Sequence, residues 1–354
     1  MKKQDKILTI ILIAGLFVFI LSADLFFDSY IKRVLNLCAI YTILALSMNL
    51  INGFTGLFSL GHAGFMAIGA YVVGIFTVPV EMRSMVFYLK PMHPLIANIE
   101  LPFFAALILG GLLAALVAFL IGAPVLRLRD DYLAIATLGF SEIIRIIITN
   151  AQSITNGSLG IKNIPPTANI WWIFGTAFVT IVFIILLISS SYGRAFKAIR
   201  EDEIAAEAMG INLFNHKVLS FIIGAFFAGI GGGLYGALLG TVDPKNFLFV
   251  LTYNFLLIIV LGGMGSVSGT IISAFIVTAG QEWLRFLDEP LSIGSFDIPL
   301  FRPGFRMVVF SILLMLIVLF YRNGLMGTKE LNWDMLKRIG SKFSFKRPKG
   351  GEAK

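Results

Sequence analysis

Charge is the scarcest thing in this sequence: 14% of residues are charged and 58% are hydrophobic, where a soluble domain carries about 25% charged and about 45–50% apolar residues. With a mean hydropathy of +0.90, a soluble globular protein is excluded. Cysteine is nearly absent. The single Cys38 lies inside an apolar run and has no mate, so an intrachain disulfide is impossible and the redox compartment is left open. No Gly is followed by Lys, which removes the phosphate-cradling G-x-x-x-x-G-K-[ST] loop and with it ATP hydrolysis by that route. The three histidines, His62, His93 and His216, fall in unrelated regions, so no metal-binding spacing exists. No G-x-S-x-G elbow occurs either. Transport or scaffolding remains.

What is present in quantity is apolar sequence in lengths of about 20 residues, enough to cross a bilayer. Such runs cover Ile7 to Phe27, Val34 to Ile51, His62 to Val80, Pro102 to Leu126, Tyr132 to Asn150, Ile170 to Ser190 and Val218 to Gly240. Leu251 to Phe286 is too long for one span and is interrupted by glycine, so it reads as two, and Phe305 to Tyr321 closes the series. The expectation is an all-α integral membrane protein, one polytopic helical bundle of about ten transmembrane helices over residues 1–321, followed by a basic tail, 322–354. Lys and Arg are retained on the cytoplasmic side. Lys2, Lys3 and Lys6 put the N-terminus inside, and alternation then puts Arg127, Arg129, the Arg194 to Glu207 loop and the tail inside, with Asp243 outside. The first run lacks a good small-x-small cleavage site at Leu21-Ser22-Ala23 and reads as an uncleaved anchor.

The tail supplies most of the net charge of +8, with nine Lys or Arg against Glu330, Asp334 and Glu352. Such a segment is drawn to anionic lipid rather than to nucleic acid, and Trp333, Leu336, Ile339 and Phe343 are spaced for one apolar side of an interfacial helix. The alternative is a solvated tail.

Glycine is clustered. Gly229, Gly232, Gly233, Gly236 and Gly240 recur at one-turn intervals along a span and invite close backbone packing. Gly262, Gly263, Gly265 and Gly269, four within eight residues, weaken a helix by about 1 kcal/mol each and read as a turn or hinge. The stretch Asn52-Gly53-Phe54-Thr55-Gly56-Leu57-Phe58-Ser59-Leu60-Gly61-His62-Ala63-Gly64 has no Lys or Arg, although the topology places it near the cytoplasmic side. Irregular backbone at membrane depth is tolerated where protein or a wet cavity satisfies it, so this stretch reads either as a pathway or gate or as tight packing. Glu142 and Arg145 share a helix face about 15 Å from the inner end, at about 1.5 Å per residue. Ionisable side chains at that depth point to function unless the two neutralise each other as a structural pair.

The one long charged stretch between apolar runs is Gly193 to Ile211. On a helical projection Phe196, Ile199, Ala206 and Met209 fall on one side, and Lys197, Arg200, Glu201 and Glu207 on the other. Asp202 and Glu203 land on the apolar side and Ile204 on the polar one, which predicts a kink or a short second helix. A membrane-lying helix favours Lys and Arg over four acidic residues, so the mixed charge points to a protein partner.

Specific motifs carry a resemblance. Glu203-Ile-Ala-Ala-Glu-Ala-Met-Gly210 resembles the coupling loop of ABC importer permeases. Ser59-Leu-Gly-His-Ala-Gly-Phe-Met-Ala-Ile-Gly-Ala-Tyr71, the run from Asp131 to Arg145, Thr155-Asn-Gly-Ser-Leu-Gly-Ile161 and Leu261-Gly-Gly-Met-Gly-Ser-Val-Ser-Gly269 resemble the permeases of branched-chain amino-acid importers, in particular the longer permease subunit. The resemblance implies a type II ABC importer-like fold in the cytoplasmic (inner) membrane and a heterodimer with a second permease subunit. It further implies two cytoplasmic ATPase subunits that use ATP and Mg, no cofactor on this chain, and an extracytoplasmic solute-binding protein delivering leucine, isoleucine or valine. It assigns Arg194, Lys197, Arg200, Glu201, Asp202, Glu203, Ala206, Glu207 and Gly210 to the ATPase contact. Asn52, Gly53, Gly56, Ser59, Gly61, His62, Glu142, Arg145, Gly262, Gly263, Gly265 and Gly269 are the candidate pathway or gate. The loops Glu81 to Leu101, Ala151 to Asn169 and Leu287 to Pro303 are expected to receive the binding protein. Relatives with similar motifs move urea, amides or other small polar solutes. An ion-coupled carrier would use Glu142 and the glycine breaks but would have no need of the 194–210 loop, and a scaffold would need only the packing glycines.

Overall fold

Residues 3–127, 130–288, 292–293, 296–297, 304–320, 324–327 and 329–331 are described in a computed structural model. In chain order its helices are α1 (Lys3–Phe26), α2 (Ser29–Asn49), α3 (His62–Thr77), α4 (Val80–Val86), α5 (Pro94–Ala97), α6 (Phe103–Val125), α7 (Asp130–Asn150), α8 (Gln152–Thr155), α9 (Ile170–Ser189), α10 (Ser191–Glu201), α11 (Glu203–Ala208), α12 (Leu213–Leu239), α13 (Phe249–Gly262), α14 (Val267–Trp283) and α15 (Phe305–Phe320). Among the described residues, five helices are long and apolar enough to cross a membrane, or six if the bent pair of α3 and α4 is counted as one span. The chain is a multi-pass, all-α helical bundle. Its only described sheet is a pair of two-residue strands, β1 (Ser292–Ile293) and β2 (Phe296–Asp297). Arg129 and the expected interfacial helix with Trp333, Leu336, Ile339 and Phe343 lie outside the described residues.

Helices that are apolar all round belong in the interior, and α2, α3 and α12 take it. From Asn36 onward α2 is mostly buried, packed by α9, α12, α13 and α14. On its other side α12 meets α3 and α6 through glycine. A Cβ on Gly69 would overlap the Gly229 carbonyl, one on Gly232 would overlap the Met66 carbonyl, and Gly110 abuts Gly69. The small residues bring three backbones together, which is how helices associate where the lipid supplies no hydrophobic drive. Of the glycines expected to pack, Gly229, Gly232, Gly233 and Gly236 do so, whereas Gly240 is the left-handed cap that ends α12 (φ +69°) and has room around it. Cys38 is buried as a small core residue.

Two expectations need correction. The run His62 to Val80 is not one straight span: α3 stops at Thr77 and the chain turns by 119° into α4, where Pro79 lacks the N–H that would continue the helix. The run from Val218 starts five residues earlier, at Leu213, because the Asn212 side chain accepts the Asn215 N–H and caps α12. The split of Leu251 to Phe286 into two helices agrees with the structure, the break falling at Gly263 to Ser266 with φ of +110° and +85° at Gly263 and Gly265. Gly69→Val is expected to cost about 1–3 kcal/mol through overpacking and to lower the unfolding temperature in detergent. Gly175→Ala, where a Cβ meets nothing within 4 Å, is expected to leave it level or raise it; equal behaviour of the two would contradict the packing account.

Candidate functional site

The charged loop folds as two short helices meeting at Asp202, as its broken amphipathic pattern predicts. Asp202 is extended (φ −161°, ψ 113°) and its carboxylate accepts the Ala205 N–H at 3.0 Å, ending α10 and starting α11. Gly210 then closes α11 with φ +83°, letting the Ile211 N–H return to the Ala206 carbonyl. Phe196, Ile199 and Ala206 are buried as expected. Met209 is not: it is 83% exposed, because the helix has ended by then and the face no longer continues.

Phe196 anchors the loop. It is fully buried in a cluster with Leu46, Leu50, Phe54, Ile184, Ile188 and Val267, which joins α10 to the end of α2, to α9 and to the start of α14. Beside it Lys197 lies over the Phe54 ring at 5.8 Å, a cation–π contact. Arg200 goes further than its place on the polar face suggests. Its Nη1 donates to the Gly53 carbonyl at 3.0 Å, while its Nε and Nη2 hold Glu201 at 3.1 and 2.5 Å. A Cβ on Gly56 would press on the Arg200 backbone, and one on Gly265 would lie 2.5 Å from its Nη1. Three glycines therefore form the socket of one arginine. Residues assigned to two separate sites by the sequence, Arg200 on one side and Gly53, Gly56 and Gly265 on the other, meet at one end of the bundle.

From α11, Glu203 pairs with Lys217 at 2.5 Å. The Lys217 side chain is largely buried at the start of α12, so the loop is tied to a second central helix. Arg194 reaches only the Ser189 carbonyl at 3.5 Å, and Glu207 is exposed.

The stretch after α2 is irregular and buried, and its polar groups are met by protein. A π-turn, Leu50–Phe54, leads into it. Asn52 exchanges hydrogen bonds with the backbone of Ser59 at 3.2 and 3.4 Å. Thr137 of α7 accepts the Leu60 N–H at 3.0 Å, and Thr252 of α13 accepts the Ala63 N–H at 3.1 Å. His62, at the start of α3, bonds Ser47 of α2 at 2.8 Å. Gly61 and Gly64 let the backbone of α7 approach, since a Cβ at either would lie 2.9 Å from Thr137 or Ser141. This segment is a largely buried re-entry into the bundle, with α3 starting beside the last turn of α2.

Glu142 and Arg145 are paired with each other, Arg145 donating through Nε at 2.9 Å and also through Nη2. Both remain partly exposed, next to the exposed Ile143, Ile146 and Ile147. Gly262 and Gly269 pack against each other where α13 crosses α14.

The sequence reasoning passed over Asn49. Fully buried, it donates to the Ser266 carbonyl at 3.1 Å and to Thr270 at 2.7 Å, and it accepts the Gly265 N–H at 3.0 Å. One side chain thus satisfies the backbone of the α13–α14 corner. An uncharged polar residue inside a strongly apolar run was the available signal.

At the opposite end the loops before α6 and after α7 are bound together. Arg83 donates to the carbonyls of Val78, Ile96, Ala97 and Ile99. Its burial lowers the pKa from the ordinary arginine value. Asn156 donates to Val86 at 3.0 Å, the His93 N–H donates to Ser153 at 2.9 Å, and Ile161 bridges Val242. No group of three or more His, Cys, Asp or Glu is placed to hold a metal among the described residues.

Buried helix breaks at one end, with an amphipathic loop seated on them, belong here to a polytopic helical membrane protein. The chain belongs to the family described as "Branched-chain amino acid transport system / permease component", whose model matches residues 30–319. It is 35% identical over 290 residues to the high-affinity branched-chain amino acid transport system permease protein LivM of Escherichia coli (strain K12), an alignment covering 72% of this chain and 64% of that protein. It is 25% identical over 333 residues to the probable branched-chain amino acid transport permease protein LivM of Methanocaldococcus jannaschii, covering 87% of this chain and 96% of that one. To the permease protein LivH of E. coli K12 it is 24% identical over 326 residues, covering 87% and 97%. The chain spans less than two thirds of the length of its E. coli LivM relative. No solved structure matches it.

Replacing Asn49 with Leu keeps the volume but strands the Gly265 N–H, at about 1–3 kcal/mol for a buried group left unmade, while the Ser266 carbonyl keeps the Thr270 hydroxyl and N–H. Thermal unfolding of the purified chain should begin at a lower temperature, and an unchanged transition would remove Asn49 from this role.

Proposed function

We propose that this chain is a permease subunit of an ATP-driven importer for branched-chain amino acids, leucine, isoleucine and valine. In this reading residues 1–321 cross the inner membrane ten times in a type II importer arrangement, with both termini and the basic tail 322–354 in the cytoplasm. A second permease completes the pathway, two ATPase subunits carry ATP and Mg, and a solute-binding protein docks on the loops around Arg83 and Asn156. Family membership and the names of the similar proteins support the cargo class.

The observation that carries the coupling role is the seating of α10 and α11. An exposed surface of Arg194, Glu201, Glu207 and Gly210 faces away from the bundle, while Phe196, Lys197, Arg200 and Glu203 hold the α2 turn, α14 and α12. A push on the outer surface is thereby delivered to three helices at once. Two of the contact points, at Gly53 and Gly265, are turns that join helices, so displacement there reaches α2 and α14. The Glu142–Arg145 pair supports a wet pathway along α7, since charge left partly exposed at mid-bilayer depth calls for a cover other than lipid.

Vesicles reconstituted with the partner subunits and a leucine-loaded binding protein test this. Arg200→Ala and Phe196→Asp should each lower leucine uptake by about tenfold or more, the scale of losing an interaction worth over about 1.4 kcal/mol. ATP hydrolysis should also lose its response to the binding protein. Wild-type uptake in either variant, or wild-type preference for urea or an amide, overturns the corresponding part. For the pathway, Glu142→Cys should react with a membrane-impermeant thiol reagent in the assembled complex, against a low background because Cys38 is buried. A silent cysteine would place α7 against lipid or packed protein.

A further inference from the structure

The α13–α14 corner has a second support that the import reading leaves unused. After α15 the chain returns to the same end of the bundle, and its residues clasp the corner from both sides. The Leu325 N–H donates to the Leu261 carbonyl at 2.7 Å and the Met326 N–H to the Gly262 carbonyl at 3.1 Å. These are acceptors that the C-terminus of α13 leaves without intrahelical partners. The approach is close enough that a Cβ on Gly263 would overlap the Gly327 carbonyl, and one on Gly324 would press on Gly263.

On the other side Glu330 covers the N-terminus of α14. Its Oε1 accepts the Val267 N–H at 2.6 Å, and its Oε2 accepts the Ser268 N–H at 3.0 Å and the Ser268 hydroxyl at 2.5 Å. The Ser266 hydroxyl donates to the Lys329 carbonyl at 2.9 Å, and the Leu331 N–H donates to Ser268 Oγ at 3.0 Å. A carboxylate on free N–H groups at the positive end of a helix dipole is a charge-assisted contact of the stronger kind. One strap therefore takes up the loose acceptors of α13 and the loose donors of α14.

Between the strap and α10 lies a cleft of about 400 Å³ lined by Lys197, Gly265, Ser268 and Glu330. The strap and the loop thus flank the corner from two sides, and Gly265, which touches Arg200, is the residue between them. A corner of four glycines would bend locally under load. Clasped at both ends, it moves as a unit.

We infer that residues 324–327 and 329–331 form a clasp that stiffens the α13–α14 corner, and that Glu330 is a positioning residue through which displacement of the α10–α11 loop is passed to α13 and α14 instead of being lost in the turn. The inference rests on the import reading. Its absence would leave a corner that still folds, held by Asn49, but that transmits poorly.

The test uses the full chain in the reconstituted complex. Glu330→Gln keeps one acceptor but turns an amide toward the Ser268 N–H, and it should lower leucine uptake by about tenfold, the loss of roughly one charge-assisted hydrogen bond. ATP hydrolysis and complex assembly should be retained, and hydrogen exchange at the Val267 and Ser268 amides should accelerate. Glu330→Asp should recover part of the uptake. Ser268→Ala, which removes the hydroxyl's contacts with Glu330 and the Leu331 N–H without changing charge, should show a smaller loss and carries the test if Glu330→Gln fails to assemble. Normal uptake in Glu330→Gln alongside accelerated exchange overturns the proposal, as does a joint loss of assembly, hydrolysis and uptake in all three variants. Failure of the wild-type complex to take up leucine would instead overturn the import reading.

Discussion

A backbone that leaves its helix inside a bilayer must find its hydrogen bonds within the protein, because lipid offers none and each unmet buried group costs several kcal/mol. This constraint governs the whole architecture. The chain breaks helical structure twice near one end of the bundle, between α2 and α3 and between α13 and α14, and both breaks are served by a few side chains. Asn52, Thr137 and Thr252 satisfy the first. Asn49 satisfies the second from the last turn of α2. Since Asn49 also abuts Gly53, the two irregular stretches share a boundary and neither can be rearranged without disturbing the other.

The glycine-lined contact of α3, α6 and α12 makes such breaks tolerable. Backbones this close gain dispersion contacts over a long interface while presenting few torsions that can yield. The result is a stiff half beside a half built on turns. The α10–α11 loop is fixed to both, to α12 through Glu203 and Lys217 and to the α2 and α14 turns through Arg200 and Phe196. In the proposed import cycle a load on that loop would meet the glycine-packed helices on one side and, on the other, the α2–α3 turn and the clasped α13–α14 corner, which it would displace as a unit.

Much of this was legible in the sequence. Apolar run lengths located the helices, the period of small residues identified the packing face, and the misplacement of Asp202 and Ile204 on a helical projection announced the break in the loop. Other features were not. Arg200 lies on the polar face by projection, yet its long side chain curls back to a carbonyl, a reach that periodicity does not encode. Met209 fits the apolar face but follows the last helical residue, because boundaries are set by local capping at Gly210. Asn49 lay hidden for a different reason: its three partners are more than 200 residues away in sequence, and no local pattern announces a contact of that range.

Charge, so scarce here, is distributed by the same logic. Glu142 and Arg145 answer each other within α7, which removes the net charge but leaves two dipolar groups at depth. Arg200, Lys217 and Glu330 instead spend their charge on neighbouring elements, on a carbonyl, on Glu203 and on helix-terminal N–H groups. Pairs confined to one helix can neutralise, but they cannot relay. Contacts that join elements distant in sequence resist relative displacement, and Arg200 and Glu330 flank the α13–α14 corner. The few ionisable side chains of this chain that link separate elements at that end are therefore where mechanical continuity is concentrated, and the proposed import cycle depends on that continuity more than on any group that could touch the solute.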